Sequence, residues 1–175
     1  LFAGHGPTQR DGLPMFRGAL CPPEDVPDPT FVIAAPTREM VKRIWWEPVK
    51  AMVPQMLVQH VSEVELTIRL HNGARVMLLG MDRPTRSEGI AIDGLVADEF
   101  AYWKAGAFER SLRPAMSTRG RPGWGIILFK PDGRNHAYDL FIAAQNGKAN
   151  HEAFHWTSAE ALPPEELAEA RDGMD

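Results

Sequence analysis

A chain of 175 residues with 44% hydrophobic and 24% charged side chains is long enough to bury a sizeable core and too apolar to be disordered. It contains no apolar run near the roughly 20 residues of a membrane helix and no signal-peptide pattern. A formal net charge of −4 gives no overall attraction for nucleic acid. A DNA contact has to rest on local groups such as Arg38, Lys42 and Arg43, or Arg110, Arg113, Arg119 and Arg121, which solvated surface explains equally well. The single cysteine, Cys21, allows no internal disulfide and fits a reducing cytoplasm. Because the chain opens on Leu1 and stops at Asp175 in an acidic, helix-like tail, it is expected to be a fragment of a longer protein, forming one α/β domain.

In chain order, residues 1–30 are rich in Gly and Pro, and Pro22, Pro23, Pro27 and Pro29 argue against regular structure there. Residues 31–35 (FVIAA) form the first expected strand, closed by Pro36-Thr37. Met40, Val41, Ile44, Trp45, Val49 and Met52 then recur at helical spacing, which predicts a helix over 38–52 that kinks or restarts at Pro48. Alternation over 64–70, an Asn72-Gly73 turn and a second run over 75–79 predict a β-hairpin, since both turn residues tolerate positive φ. A polar loop over 81–89 leads to a strand over 92–97. A helix is expected over 107–116, limited or bent by Pro114, followed by a strand over 124–129 and a helix over 135–144. Continuously apolar strands alternating with helices predict a mainly parallel sheet with flanking helices.

The chemistry concentrates at Leu95-Val96-Ala97-Asp98-Glu99, where an apolar strand delivers two adjacent carboxylates. One carboxylate near a hard cation and a neighbour that orients a water are two parts of an ATP-hydrolysing site. Taken alone, the same run fits a strand that merely leaves a core.

Its neighbours add an ordered series: Ala34-Ala35-Pro36-Thr37 at a strand end, 89–100 (GIAIDGLVADEF), Leu112-Arg113-Pro114, 131–141 (PDGRNHAYDLF), and Phe154-His155-Trp156-Thr157 as a later strand before an acidic helix. Over roughly residues 31–170 the chain resembles the ATPase domain of the large terminase subunit of tailed bacteriophages. That resemblance implies a P-loop NTPase fold of the ASCE type, in which an extra strand separates the phosphate loop from the Asp-Glu strand, with an added β-hairpin. It implies ATP-driven packaging of double-stranded viral DNA into a procapsid, with ATP and Mg²⁺ as cofactors. Asp98 matches the Walker B aspartate that supports the metal, and Glu99 the glutamate that activates the attacking water. The implied partners are the portal protein, the small terminase subunit and like subunits in a homo-oligomeric ring, in the host cytoplasm at the portal and away from any membrane. The family's nuclease domain is expected beyond the end of this chain.

The chain departs from the family pattern at three places. A phosphate loop counted from Gly4 and Gly6 reaches Gln9-Arg10-Asp11 where Gly-Lys-Ser/Thr belongs. Residues 1–30 are therefore a degenerate or displaced phosphate-loop region, in which Gly4, Gly6 and the bulkier cation Arg10 are the candidate phosphate contacts and Asp11 opposes them. Glu88 stands where relatives carry an arginine that reaches a neighbour's ATP, with Arg86 two residues earlier. Phe129-Lys130 replaces small hydroxyl residues, so Lys130 is either a phosphate contact or a solvated lysine. The readings left open are an ATPase and a P-loop-fold assembly module that no longer hydrolyses efficiently.

A distant alternative comes from 151–155 (HEAFH), which matches the HExxH zinc-peptidase pattern with His151, Glu152 and His155. That motif needs a stable helix, and Gly147 and Asn150 just upstream oppose one. His5, His60, His71 and His136 show no further metal spacing. Of Trp45 and Trp46, at least one is expected in the core, as are Trp103 and Trp124.

Overall fold

The apolar run ending at Ala35 becomes the central strand β1 (Thr30–Ala35), buried at nearly every position and paired along both edges with neighbouring strands. The computed structural model describes residues 28–83, 89–117, 123–157, 160, 163 and 165–166. The chain divides into two units, Leu1–Ala137 and Tyr138–Asp175. The first holds β1 and five further strands: β2 (Val58–Ser62), β3 (Thr67–Leu70), β4 (Arg75–Gly80), β5 (Gly94–Ala97) and β6 (Trp124–Ile127). They form one sheet in the order β2-β3-β4-β1-β5-β6. β4, β1, β5 and β6 run parallel, whereas β3 is antiparallel to β2 and β4. The expected mainly parallel α/β sheet with an added hairpin is what forms.

The β3–β4 turn follows from its two residues. Gly73 adopts φ +86° and donates its N–H to the Leu70 carbonyl at 3.0 Å, while the Asn72 side chain accepts from Ala74 N at 3.0 Å. The run over 64–66 does not extend β3 as alternation predicts. Ser62 Oγ accepts from Glu65 N at 3.1 Å, and Leu66 turns into the left-handed region at φ +50°. Its side chain is fully buried, so apolar burial holds a backbone conformation that leucine ordinarily avoids. β2, a sheet-edge strand with exposed Gln59 and His60, carries no clear alternation and is not evident from sequence.

Helix α1 runs through three stretches, Arg38–Val41, Lys42–Trp46 and Glu47–Met52, the middle one a π-helical turn. Thr37 caps it, its Oγ1 accepting from Met40 N at 3.1 Å. The predicted break at Pro48 takes the form of this wider turn. Proline has no N–H to give Ile44, and its ring would crowd that carbonyl in a regular helix. The extra residue also shifts the phase of the apolar face. Val41, Trp46, Val49 and Val53 point inward, while Ile44 and Met52, expected on that face, are exposed. These side chains pack with Leu66, Ile68, Leu70, Val76 and Leu78 into one core cluster on the hairpin side of the sheet.

Gly80 ends β4 against the start of α1: a Cβ there would lie 2.7 Å from Arg38 Cα. After β5, a 3₁₀ turn (Phe100–Tyr102) leads to α2, a π turn (Phe108–Leu112) continued by Arg113–Ala115. Helix α3 (His136–Gln145) starts at the end of the first unit and continues into the second.

In the second unit, the expected strand over 154–157 is not formed: residues 151–157 have no regular structure. Spacing of two would place Phe154 and Trp156 on one strand face, but both are exposed and instead stack on each other, with ring centroids 6.0 Å apart and an interplanar angle of 12°. Among the described residues, no helix is long and apolar enough to cross a membrane.

Candidate functional site

Open α/β sheets bind ligands at the carboxyl ends of parallel strands, where the strand order reverses. Here the chain leaves β1 for β4 on one side and returns to β5 on the other, so the reversal lies between β1 and β5. Asp98 and Glu99 follow β5 directly at that edge.

Four hydrogen bonds fix Asp98. Its backbone N–H continues the β5–β1 ladder to the Ala34 carbonyl at 2.8 Å, and its carbonyl accepts from the Trp103 indole at 3.0 Å. Its side-chain Oδ1 accepts from Glu99 N at 3.0 Å, and Oδ2 from the Trp45 indole Nε1 at 2.7 Å. Each carboxylate oxygen keeps a second lone pair for another donor or a cation.

Glu99 stands differently. Its backbone is left-handed, φ +48° and ψ +42°, a conformation that costs a non-glycine residue about 1–2 kcal/mol. Its carbonyl opens the 3₁₀ turn by accepting from Tyr102 N at 3.0 Å. Oε2 is buried and has no hydrogen-bond partner among the described residues. A buried carboxylate oxygen left in that state costs stability unless a group beyond the described residues satisfies it.

The turn beyond Glu99 is braced from two elements. β6 reaches it through Leu128, whose N–H donates to Ala97 O at 2.8 Å and whose carbonyl accepts from Phe100 N at 3.0 Å. The start of α3 reaches it through His136, whose Nε2–H donates to Phe100 O at 2.9 Å, and through Asn135, whose Nδ2 lies 3.4 Å from Ala101 O. Phe100 is buried between the rings of Trp103, Phe108 and His136, at centroid distances of 5.2, 6.0 and 4.9 Å. None of these bracing roles is evident from residue type, although the Asn135-His136 pair falls inside one of the family-like segments.

The other expected site residues are placed less tightly. Lys130 is exposed, two residues past Leu128. Gly4, Gly6, Arg10, Arg86 and Glu88 lie outside the described residues. Arg38, a candidate DNA contact, donates to the Val64 carbonyl and so ties α1 to the turn between β2 and β3. The HExxH reading does not survive: His151, Glu152 and His155 lie in a stretch without helix, so the two imidazoles do not share a helical face, and His151 Nδ1 pairs with Ala149 O at 2.8 Å. Among the described residues, no group of three or more His, Cys, Asp or Glu is placed to hold a metal. Mg²⁺ asks for less, since one or two carboxylates together with phosphate oxygens commonly bind it.

No protein-family profile matches the chain. Over 66 residues it is 30% identical to the large terminase subunit of Thermus virus P23-45, a match that covers 38% of this chain and 13% of that protein. Its backbone superimposes on the large terminase ATPase domain of Thermus phage P74-26 with a TM-score of 0.66 and 20% identity, covering 83% of this chain and 68% of that one. The large terminase of a thermophilic bacteriophage, solved with ADP, gives a TM-score of 0.59 at 18% identity over 82% of this chain and 37% of its own. The chain has the fold of a phage large-terminase ATPase domain. In this terminase-like sheet β6 is the strand that flanks the Asp-Glu strand on the side away from β1. The Asp98-Glu99 corner offers two adjacent carboxylates, hard oxygen donors of which Glu99 Oε2 is buried and unpaired among the described residues, a donor set that fits a Mg²⁺-nucleotide.

Proposed function

We propose that the chain is the ATP-hydrolysing part of a motor that drives double-stranded viral DNA into a procapsid. The observation that carries this reading is Glu99 Oε2, buried without a partner among the described residues, beside a fully braced Asp98 at the switch point of a terminase-like sheet. Likeness to large terminase subunits supports it, and the ADP bound by one structural neighbour supports a nucleotide as ligand.

Asp98 would hold Mg²⁺, which when bound supplies positive charge against the phosphate oxygens. Glu99 orients a water and takes its proton as the water oxygen attacks the terminal phosphorus and the bond to the ADP oxygen breaks. The indole and backbone donors on Asp98 keep its carboxylate in one orientation through turnover. Gly4, Gly6, Arg10 and Lys130 are proposed as the phosphate contacts. The motor assembles as a ring of like subunits with the portal protein and the small terminase subunit, in the host cytoplasm. In this reading residues 1–175 form one ATPase domain, and a nuclease belongs to another part of the protein.

Gln9-Arg10-Asp11, in place of Gly-Lys-Ser/Thr, favours a second reading, an assembly module that keeps the fold and binds nucleotide without turning it over. Labelled ATP with Mg²⁺, with and without double-stranded DNA, separates the two. DNA-stimulated phosphate release is expected for the motor and binding without release for the module, while no binding removes both.

A further inference from the structure

We propose that Trp45 is the positioning residue for Asp98 and that its indole N–H reports whether the carboxylate site is occupied; this rests on the ATPase reading above. The π turn creates the arrangement. In an unbroken α-helix Trp45, four residues after Val41, would fill the next core position. The extra residue gives that position to Trp46, which is 1% exposed and lies five residues after Val41. Trp45 is left partly buried at the edge of the core, where its Nε1–H meets Asp98 Oδ2 at 2.7 Å across 53 positions of sequence. The two adjacent indoles thus serve different carboxylates, Trp46 donating to Glu63 Oε2 at 2.6 Å on the hairpin side.

A single N–H on one oxygen of Asp98 has a defined effect. It fixes rotation of the carboxylate about its Cβ–Cγ bond together with Glu99 N, leaving one lone pair on each oxygen directed away from both donors. Groups that orient a metal-binding carboxylate in this way typically change metal affinity by about 10–100-fold when removed. Because the donor sits on α1, the helix that follows β1, the bond also links that helix to the end of β5. A cation or nucleotide that draws on Asp98 must alter the indole hydrogen bond.

Trp45→Phe keeps an aromatic ring at the core edge and removes only the donor. It is expected to raise the Mg²⁺ concentration for half-maximal ATP hydrolysis about tenfold, with the KM for ATP at saturating Mg²⁺ and the thermal midpoint little changed. A purely structural role would instead lower the thermal midpoint and leave the Mg²⁺ dependence alone.

A second readout needs no turnover. In ¹⁵N-labelled protein the Trp45 indole resonance, assigned by its loss in Trp45→Phe, should shift in Asp98→Ala without any ligand, and in the unsubstituted protein on addition of Mg²⁺ with ADP. An unmoved resonance in Asp98→Ala overturns the proposal. If other resonances follow Mg²⁺-ADP while Trp45 does not, and Trp45→Phe keeps the same Mg²⁺ dependence, the proposal falls and the ATPase reading stands. If no resonance responds to Mg²⁺-ADP, both fall.

Discussion

The hairpin side of the sheet and the Asp98-Glu99 corner take one indole each from the same helical turn, and they use it in opposite circumstances. On the hairpin side, Trp46 lies among Val41, Val49, Leu66, Ile68 and Val76, with its N–H paired to Glu63. Apolar burial dominates there, and the left-handed Leu66 is held by complete burial of its side chain. At the corner, Trp45 is only partly buried, and Glu99 is left-handed with a buried oxygen that is unpaired among the described residues. Strain without a packing reward is how a fold stores capacity for a ligand. Stability should therefore reside mainly on the hairpin side and activity at the corner, and substitutions should separate them.

The widest separation is expected from Glu99→Gln. Loss of the proton acceptor should cut kcat for ATP about 10²–10⁴-fold, while melting stays level or rises because a charged oxygen no longer sits buried and unpaired. Phosphate release and thermal unfolding on the same preparation test both halves. Normal turnover in this variant would remove Glu99 from the chemistry.

Trp46→Ala is the counterpart on the other side. Truncating a fully buried tryptophan should cost about 3–5 kcal/mol, read as a lowered urea midpoint. A loss within about 0.5 kcal/mol, the usual size for a surface change, would mean that this cluster does not dominate stability. A smaller effect is expected of Gly80→Ala, whose methyl would meet the Arg38 backbone. Overpacking of that kind costs about 1–3 kcal/mol, and the same urea titration reads it.

Which features were legible in the sequence follows from the range of the forces that make them. The hairpin was legible because Asn72-Gly73 encodes its turn locally, and β1 and β5 because parallel strands covered on both faces are apolar throughout. Asp98 and Glu99 stood out because charge at the end of such a strand is conspicuous. The register of α1 was not legible, since a π turn changes which residues face inward without changing composition, and so Ile44 and Met52 were expected in the core. Trp45's role was hidden for the same reason, and because its partner lies 53 residues away. Residues 154–157 misled: Phe154 and Trp156 have strand-like spacing, yet a strand forms only where a ladder partner exists.

The smallest effect belongs to the polar rim of the hairpin-side core, where Glu63 accepts from Lys50 Nζ at 2.8 Å as well as from Trp46. The Lys50 hydrogen bond, and then the Trp46 indole, hold the Glu63 carboxyl below its ordinary value of 4.5, while Glu47 and then Glu63 raise Lys50. A carboxyl lowered in the folded state adds stability above its ordinary value and loses it as pH falls through the lowered value. The urea midpoints of the unsubstituted protein and Glu63→Gln should therefore differ by a constant, small amount from neutral pH down to about 4.5, and converge on further acidification. Exposure and salt screening keep that difference modest. If the gap instead widened toward acid, Glu63 would be acting as a neutral hydrogen-bond partner of Trp46, and the polar edge of this core would owe nothing to charge.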